Sequence, residues 1–133
     1  MCGNELDLAD DGWCFGCGKE NPAGLKLDFE VADRECVTEF IPGKEHQGWV
    51  GITHGGILST IADETMAQLV WVKGFRTVTA EFSIKFKRPA RTGVLLRAVA
   101  TIEEESGRTI HCKAVLEESG AVVAEASARM VKV

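Results

Sequence analysis

What this 133-residue sequence lacks narrows its function before any motif is read. No run of roughly 18 apolar residues occurs, so nothing in it reads as a membrane-spanning helix. No Lys/Arg run is dense enough to track a nucleic acid, and the net charge of −5 points the same way, against binding by phosphate neutralisation. The opening MCGNELDLADDGW is acidic and has no apolar core, so it is not expected to be a signal peptide. The cysteines number five: Cys2, Cys14, Cys17, Cys36 and Cys112. An odd count without a leader argues against a disulfide framework and for a reducing, cytoplasmic compartment. Cys14-Phe15-Gly16-Cys17 is not accompanied by a second CxxC or a paired histidine, so no metal site is expected. The GKENPAG that follows cannot start the regular helix a thioredoxin-like motif requires. The cysteines are expected to pack as small hydrophobes in a compact arm, and only a tertiary coincidence would bring Cys36 or His46 to them.

What is present is ordinary globular material, 45% hydrophobic and 26% charged. Residues 1–133 read as one domain, with 1–24 as a turn-rich leading arm. At this size folding buries roughly 68% of the unfolded-chain surface, enough for a core without staples. Leu25, Leu27, Phe29 and Val31 alternate with polar residues, as in a half-buried strand, and a second strand runs from Cys36 to Ile41 before Pro42-Gly43. Between Ile57 and Trp71 there is neither Gly nor Pro, and apolar residues recur at helical spacing over most of the circumference. Such a helix is expected to be central and buried nearly all round. Four alternating segments follow, beginning at Val78, Val94, Ile110 and Val122, with short connections that predict an antiparallel meander or a near relative. One helix cannot cover both faces of a six-stranded sheet, so the expected fold is α+β, an antiparallel sheet curled around one long helix. Its uncovered edges predict a homo-oligomer, a dimer at least.

The densest functional signal is HQGWVGITHGGILSTIADE, residues 46–64. Gly55 and Gly56 stand where the helix begins. A helix start offers unpaired N–H groups and positive dipole, and glycine lets a substrate carbonyl approach them; a tight structural turn explains the same residues. Asp63 and Glu64 are adjacent carboxylates in an otherwise apolar helix, separated by about 100° around its axis, so they cannot share one role. Either could be a general base or nucleophile, or face solvent or a subunit boundary, and periodicity does not choose. Lys85, Lys87, Arg88 and Arg91 cluster around Pro89, with Arg108 past the next turn; they suit either a phosphate-bearing ligand or a solvated strand end. Trp49, Trp71 and Phe75 suit an acyl or aryl pocket or the core equally well. His111 alternates with Ile110 and Cys112 and is expected to face away from the core.

The run His54-Gly-Gly-Ile-Leu-Ser-Thr-Ile-Ala-Asp63-Glu64 resembles the signature of the hotdog-fold thioesterases, particularly the phenylacetate-degradation-type branch. FSIKFKRPARTGVLLRAVATIEEESGR and CFGCGKENPAGLKL are similar to further segments of that family, so the likeness covers most of the chain. The resemblance implies an acyl-coenzyme A thioesterase that needs no metal or other cofactor. It implies Asp63 as the acid that activates water or attacks the thioester, and the Gly55 N–H, with Gly56, as oxyanion donor. His54 matches the motif histidine, more often structural, and active sites between subunits of a homodimer or homotetramer are implied. The pattern departs at Gly48, where related enzymes often carry Asn to position water or thioester; Gln47 beside it could substitute. Arg88 and Arg91 would meet the coenzyme phosphates. Two other readings stand beside this one. A dehydratase or hydratase acting on acyl thioesters usually needs a histidine base paired with an acid. A non-catalytic acyl-coenzyme A-binding or regulatory module lacks the helix acid.

Overall fold

The computed structural model describes residues 8–133. Cys2 lies outside them. Two short strands, β1 (Glu30–Ala32) and β2 (Glu35–Phe40), precede the helix α1 (Gly55–Val72). Four long strands follow: β3 (Thr77–Phe86), β4 (Leu96–Ser106), β5 (Thr109–Glu118) and β6 (Ala121–Lys132). All six form one antiparallel sheet in the order β1-β2-β4-β5-β6-β3. β4, β5 and β6 make the meander their short turns dictate. β3 departs from simple succession: residues 87–95 carry the chain across to β4, and β3 pairs with β6 instead. The sheet therefore wraps α1, which packs against β2 through β6.

The core is the helix face Leu58, Ile61, Ala62, Met66, Leu69 and Val70 set against inward residues of the strands, among them Ala98, Ala100, Ile110, Leu116 and Met130. Alanines dominate the sheet side because the helix lies close over them. Two expectations need correction. The helix is not buried all round within one chain: Trp71 and Val72 are exposed, and Asp63, Glu64, Ala67 and Gln68 are half-buried. The sheet reaches only one side of it. The alternation from Leu25 to Val31 is not one strand either. Only Glu30–Ala32 joins the ladder, and Lys26 stands at φ 54°, which breaks an extended run. Leu25 and Leu27 are nonetheless buried, held by N–H bonds to the carbonyls of Phe15 (2.9 Å) and Gly16 (3.0 Å).

Candidate active site

The loop before α1 is pinned to the β3–β4 connection. The Thr53 N–H donates to Ala90 O (2.7 Å), the Thr92 N–H to Gly51 O (3.1 Å), and Ile52 bridges to Arg91. This docking sets the helix start beside residues 87–90. His54 is the N-cap: its Nδ1 accepts from the Gly56 N–H at 2.8 Å, so the neutral ring carries its proton on Nε2. The Gly56 N–H is thereby committed. The Gly55 N–H, by contrast, has no acceptor among the described residues. A Cβ on Gly55 would stand 3.2 Å from Phe86 Cζ, so glycine is what lets the end of β3 close over this turn. Replacing His54 by Ala is expected to cost about 1 kcal/mol of stability, while His54→Asn, which keeps an acceptor, retains most of it. Denaturant midpoints of the two variants check this.

An open hollow of about 900 Å³ surrounds the helix start. Of the residues singled out by sequence, Gly48, Trp49, His54, Gly55, Lys87 and Arg88 line it together. Gln47 does not: its Oε1 accepts from the Gly51 N–H (3.3 Å) and ties the loop. Arg91 is exposed outside the lining, with its N–H on Glu118 Oε2 (2.6 Å). Trp71 and Phe75 sit at the far end of α1, about 24 Å of helix rise away. Thr53, which sequence did not single out, lines the same hollow with a buried hydroxyl that has no partner among the described residues. A ligand or water that reached it would relieve a cost of about 1–3 kcal/mol.

Asp63 faces a different surface. It lines a shallow groove with Ser59, Thr60, Thr79 and Phe82. Thr79 Oγ1 donates to Asp63 Oδ1 at 2.8 Å, and its other neighbour, Met130 Sδ at 3.3 Å, is a far weaker acceptor. A bulge at Ala80 shifts the β3 register immediately after Thr79. Bulges re-aim side chains, and this one sits where the hydroxyl turns to the helix. Thr79 could not be found from spacing, since it reads as one more polar residue of an alternating strand.

Glu64 points elsewhere again, under the leading arm, where Cys14 Sγ donates to its Oε1 at 3.3 Å. Cys14 and Cys17 are half-buried around this carboxylate rather than packed in an apolar arm. Burial, the Cys14 hydrogen bond and the Glu64 charge push the Cys17 thiol up to about 12, the opposite of a redox-active thiolate. Burial also raises Cys36 and Cys112 to about 11. Cys36 is in the core, and His46 Nδ1 accepts from the Gly43 N–H (2.9 Å); neither approaches the arm. His111 lies half-buried on the outer sheet face beside Glu103 and Lys113.

A long helix held in a curled six-stranded antiparallel sheet, with a glycine-opened N-terminus, is the hotdog fold. Residues 50–128 match the model of the thioesterase superfamily, and the chain belongs to that family. Over 107 residues it is 29% identical to the acyl-coenzyme A thioesterase THEM4 of Xenopus laevis, which covers 78% of this chain and 48% of that protein. The chain thus spans about half the length of that curated relative. Among solved structures, a phenylacetic acid degradation-related protein of Ralstonia eutropha superposes with a TM-score of 0.74 at 26% identity, covering 80% of this chain and 85% of that one. A hypothetical thioesterase protein of Streptococcus pneumoniae, solved with coenzyme A, gives 0.76 at 19% identity over 80% and 85% of the two chains.

Proposed function

We propose that the chain hydrolyses acyl-coenzyme A thioesters in a site built from two copies of itself. The observation that carries this reading is the arrangement of the two chemical groups on α1. Gly55 and Asp63 are separated by about 12 Å of helix rise. N–H groups at a helix start point out of its N-terminal end, so the free donor is aimed away from the Asp63 of its own chain. One thioester carbonyl cannot use both from the same helix, whereas Asp63 from a second chain can meet Gly55 from the first. Each of the two surfaces is open, as halves of a shared site need to be.

In that site the Asp63 carboxylate takes a proton from water attacking the carbonyl, or attacks directly to give an anhydride that water hydrolyses after the thiolate has left. The oxyanion that forms accepts from the Gly55 N–H, strengthened by the helix dipole. The thiolate then leaves; the conjugate acid of a cysteine-like thiol has a pKa of about 8.5, so a strong general acid is unnecessary. Lys87 and Arg88 line the hollow at the donor and supply positive charge for the phosphates of coenzyme A. A dehydratase reading loses support from His54, whose Nδ1 is spent on the Gly56 N–H. The test is thiol release from short, long and aromatic acyl-coenzyme A substrates. Turnover of at least one is expected. Binding of all of them with turnover of none would instead favour the acyl-coenzyme A-binding module, for which Gly48, lacking the water-positioning side chain of related enzymes, is the supporting feature.

A further inference from the structure

We propose that Cys14, Cys17 and Glu64 bind a thiophilic divalent cation of the zinc class and so fasten the leading arm to α1. Their ligand atoms all lie within 4.8 Å of one another. In a tetrahedral zinc site, bond lengths place two sulfurs about 3.8 Å apart and a sulfur and a carboxylate oxygen about 3.5 Å apart. Cys14 Sγ and Glu64 Oε1 stand at 3.3 Å, close to that spacing without any rearrangement.

Two further observations point to a cation. The first is charge. Glu64 is a half-buried carboxylate, and among the described residues no Lys or Arg pairs with it. A divalent ion would supply the positive charge that this carboxylate and its two neighbouring sulfurs lack. The second is the fit of the turn. Gly16, between the cysteines, is buried, and a Cβ there would lie 2.1 Å from Glu64 Cγ. Only glycine lets the CxxC turn sit directly on this side chain. The turn is also held from outside: the Gly18 N–H donates to Cys14 O (2.8 Å), the Glu20 N–H to Gly12 O (3.0 Å) and Asn21 Nδ2 to Trp13 O (3.2 Å). The segment CFGCGKENPAGLKL is thus a preformed knuckle whose thiols converge on a helix carboxylate.

Binding M²⁺ converts two thiols to thiolates, releases two protons and leaves a complex of net charge −1 with a fourth position for water or another ligand atom. The site does not depend on the thioesterase reading. It would hold the residue next to Asp63, so metal also bears on how firmly that part of α1 is fixed.

Metal content of the purified full chain and titration of the reduced, metal-stripped chain with Co²⁺ test the site without any activity measurement. About one metal per chain is expected, with thiolate-to-cobalt charge-transfer absorption, tetrahedral ligand-field intensity and displacement by Zn²⁺. The double variant Cys14→Ser/Cys17→Ser should abolish the charge-transfer band. Glu64→Gln, nearly isosteric, should weaken Co²⁺ binding by about tenfold or more. Gly16→Ala keeps all three ligands in the chain but displaces Glu64, and should weaken binding similarly. Circular dichroism establishes that each variant is folded. No charge-transfer band in the reduced wild type, a band that survives the double cysteine variant, or unchanged affinity in folded Glu64→Gln would each overturn the proposal. So would a Cys14–Cys17 disulfide in the isolated chain whose reduction yields no metal uptake.

Discussion

Asp63→Asn is expected to lower thiol release from acyl-coenzyme A by about 10²- to 10⁴-fold, the range lost with a general base. The substitution is chosen for what it keeps. Asn retains the shape of Asp, and its Oδ1 can still accept from Thr79 Oγ1, now at 2.8 Å from the carboxylate. The orientation of the side chain and the packing of α1 therefore survive, and the mass of the protein in solution should not change. What disappears is the capacity to take a proton or attack carbon. Thr79→Val isolates the orienting bond: the carboxylate remains but turns freely in an open groove, and a loss of about tenfold is expected, as for one hydrogen bond to a charged group. A fall in kcat with KM little changed would place both effects on the chemical step rather than on binding. Full turnover in Asp63→Asn would remove Asp63 from the reaction, and Glu64, held under the leading arm by Cys14, lines neither surface from which it could replace it.

The parts of the fold that proved legible were those set by local pattern. The absence of Gly and Pro from Ile57 to Trp71 marked the helix, and inside–outside alternation marked β3 to β6. Alternation reports which face is buried, not which strand lies alongside. That is why Leu25 and Leu27 read as strand although their backbones bond to the knuckle, and why the pairing of β3 with β6 was not accessible. The same limit divides the candidate site. Gly55 and Asp63 are separated by fixed steps along one helix, so their relation could be read from spacing. Glu64 meets Cys14 across 50 positions, and Thr79 reaches Asp63 through a bulge. No periodicity encodes either contact. Spacing alone offers the CxxC no partner, and the carboxylate beside it is supplied by folding.

Mixing two inactive variants should restore activity if the site spans two chains. Gly55→Pro removes the oxyanion donor at small structural cost. Proline is favoured at the first position of a helix, and His54, at φ −62° and ψ 136°, already has the conformation that a residue before proline adopts. The Phe86 ring must yield by a few tenths of an ångström to admit the new Cβ, which stands 3.2 Å from it. Alone, this variant is expected to lose about 10²- to 10³-fold in kcat, as when a single oxyanion donor is deleted. Unfolded together with Asp63→Asn and refolded, the two populations form mixed dimers in which one site unites the intact Gly55 of one chain with the intact Asp63 of the other. The second site of the same dimer carries both lesions. Random pairing makes half the dimers mixed, so activity should recover to about a quarter of wild type. Each parent refolded alone should stay at or below about one hundredth. A site contained within one chain gives no such recovery, because every chain in the mixture carries one lesion. The quarter-strength signal thus distinguishes a shared site from a private one by about 25-fold, and a shared site is what the geometry of α1 calls for: a donor aimed out of one end of the helix and a base two turns along it.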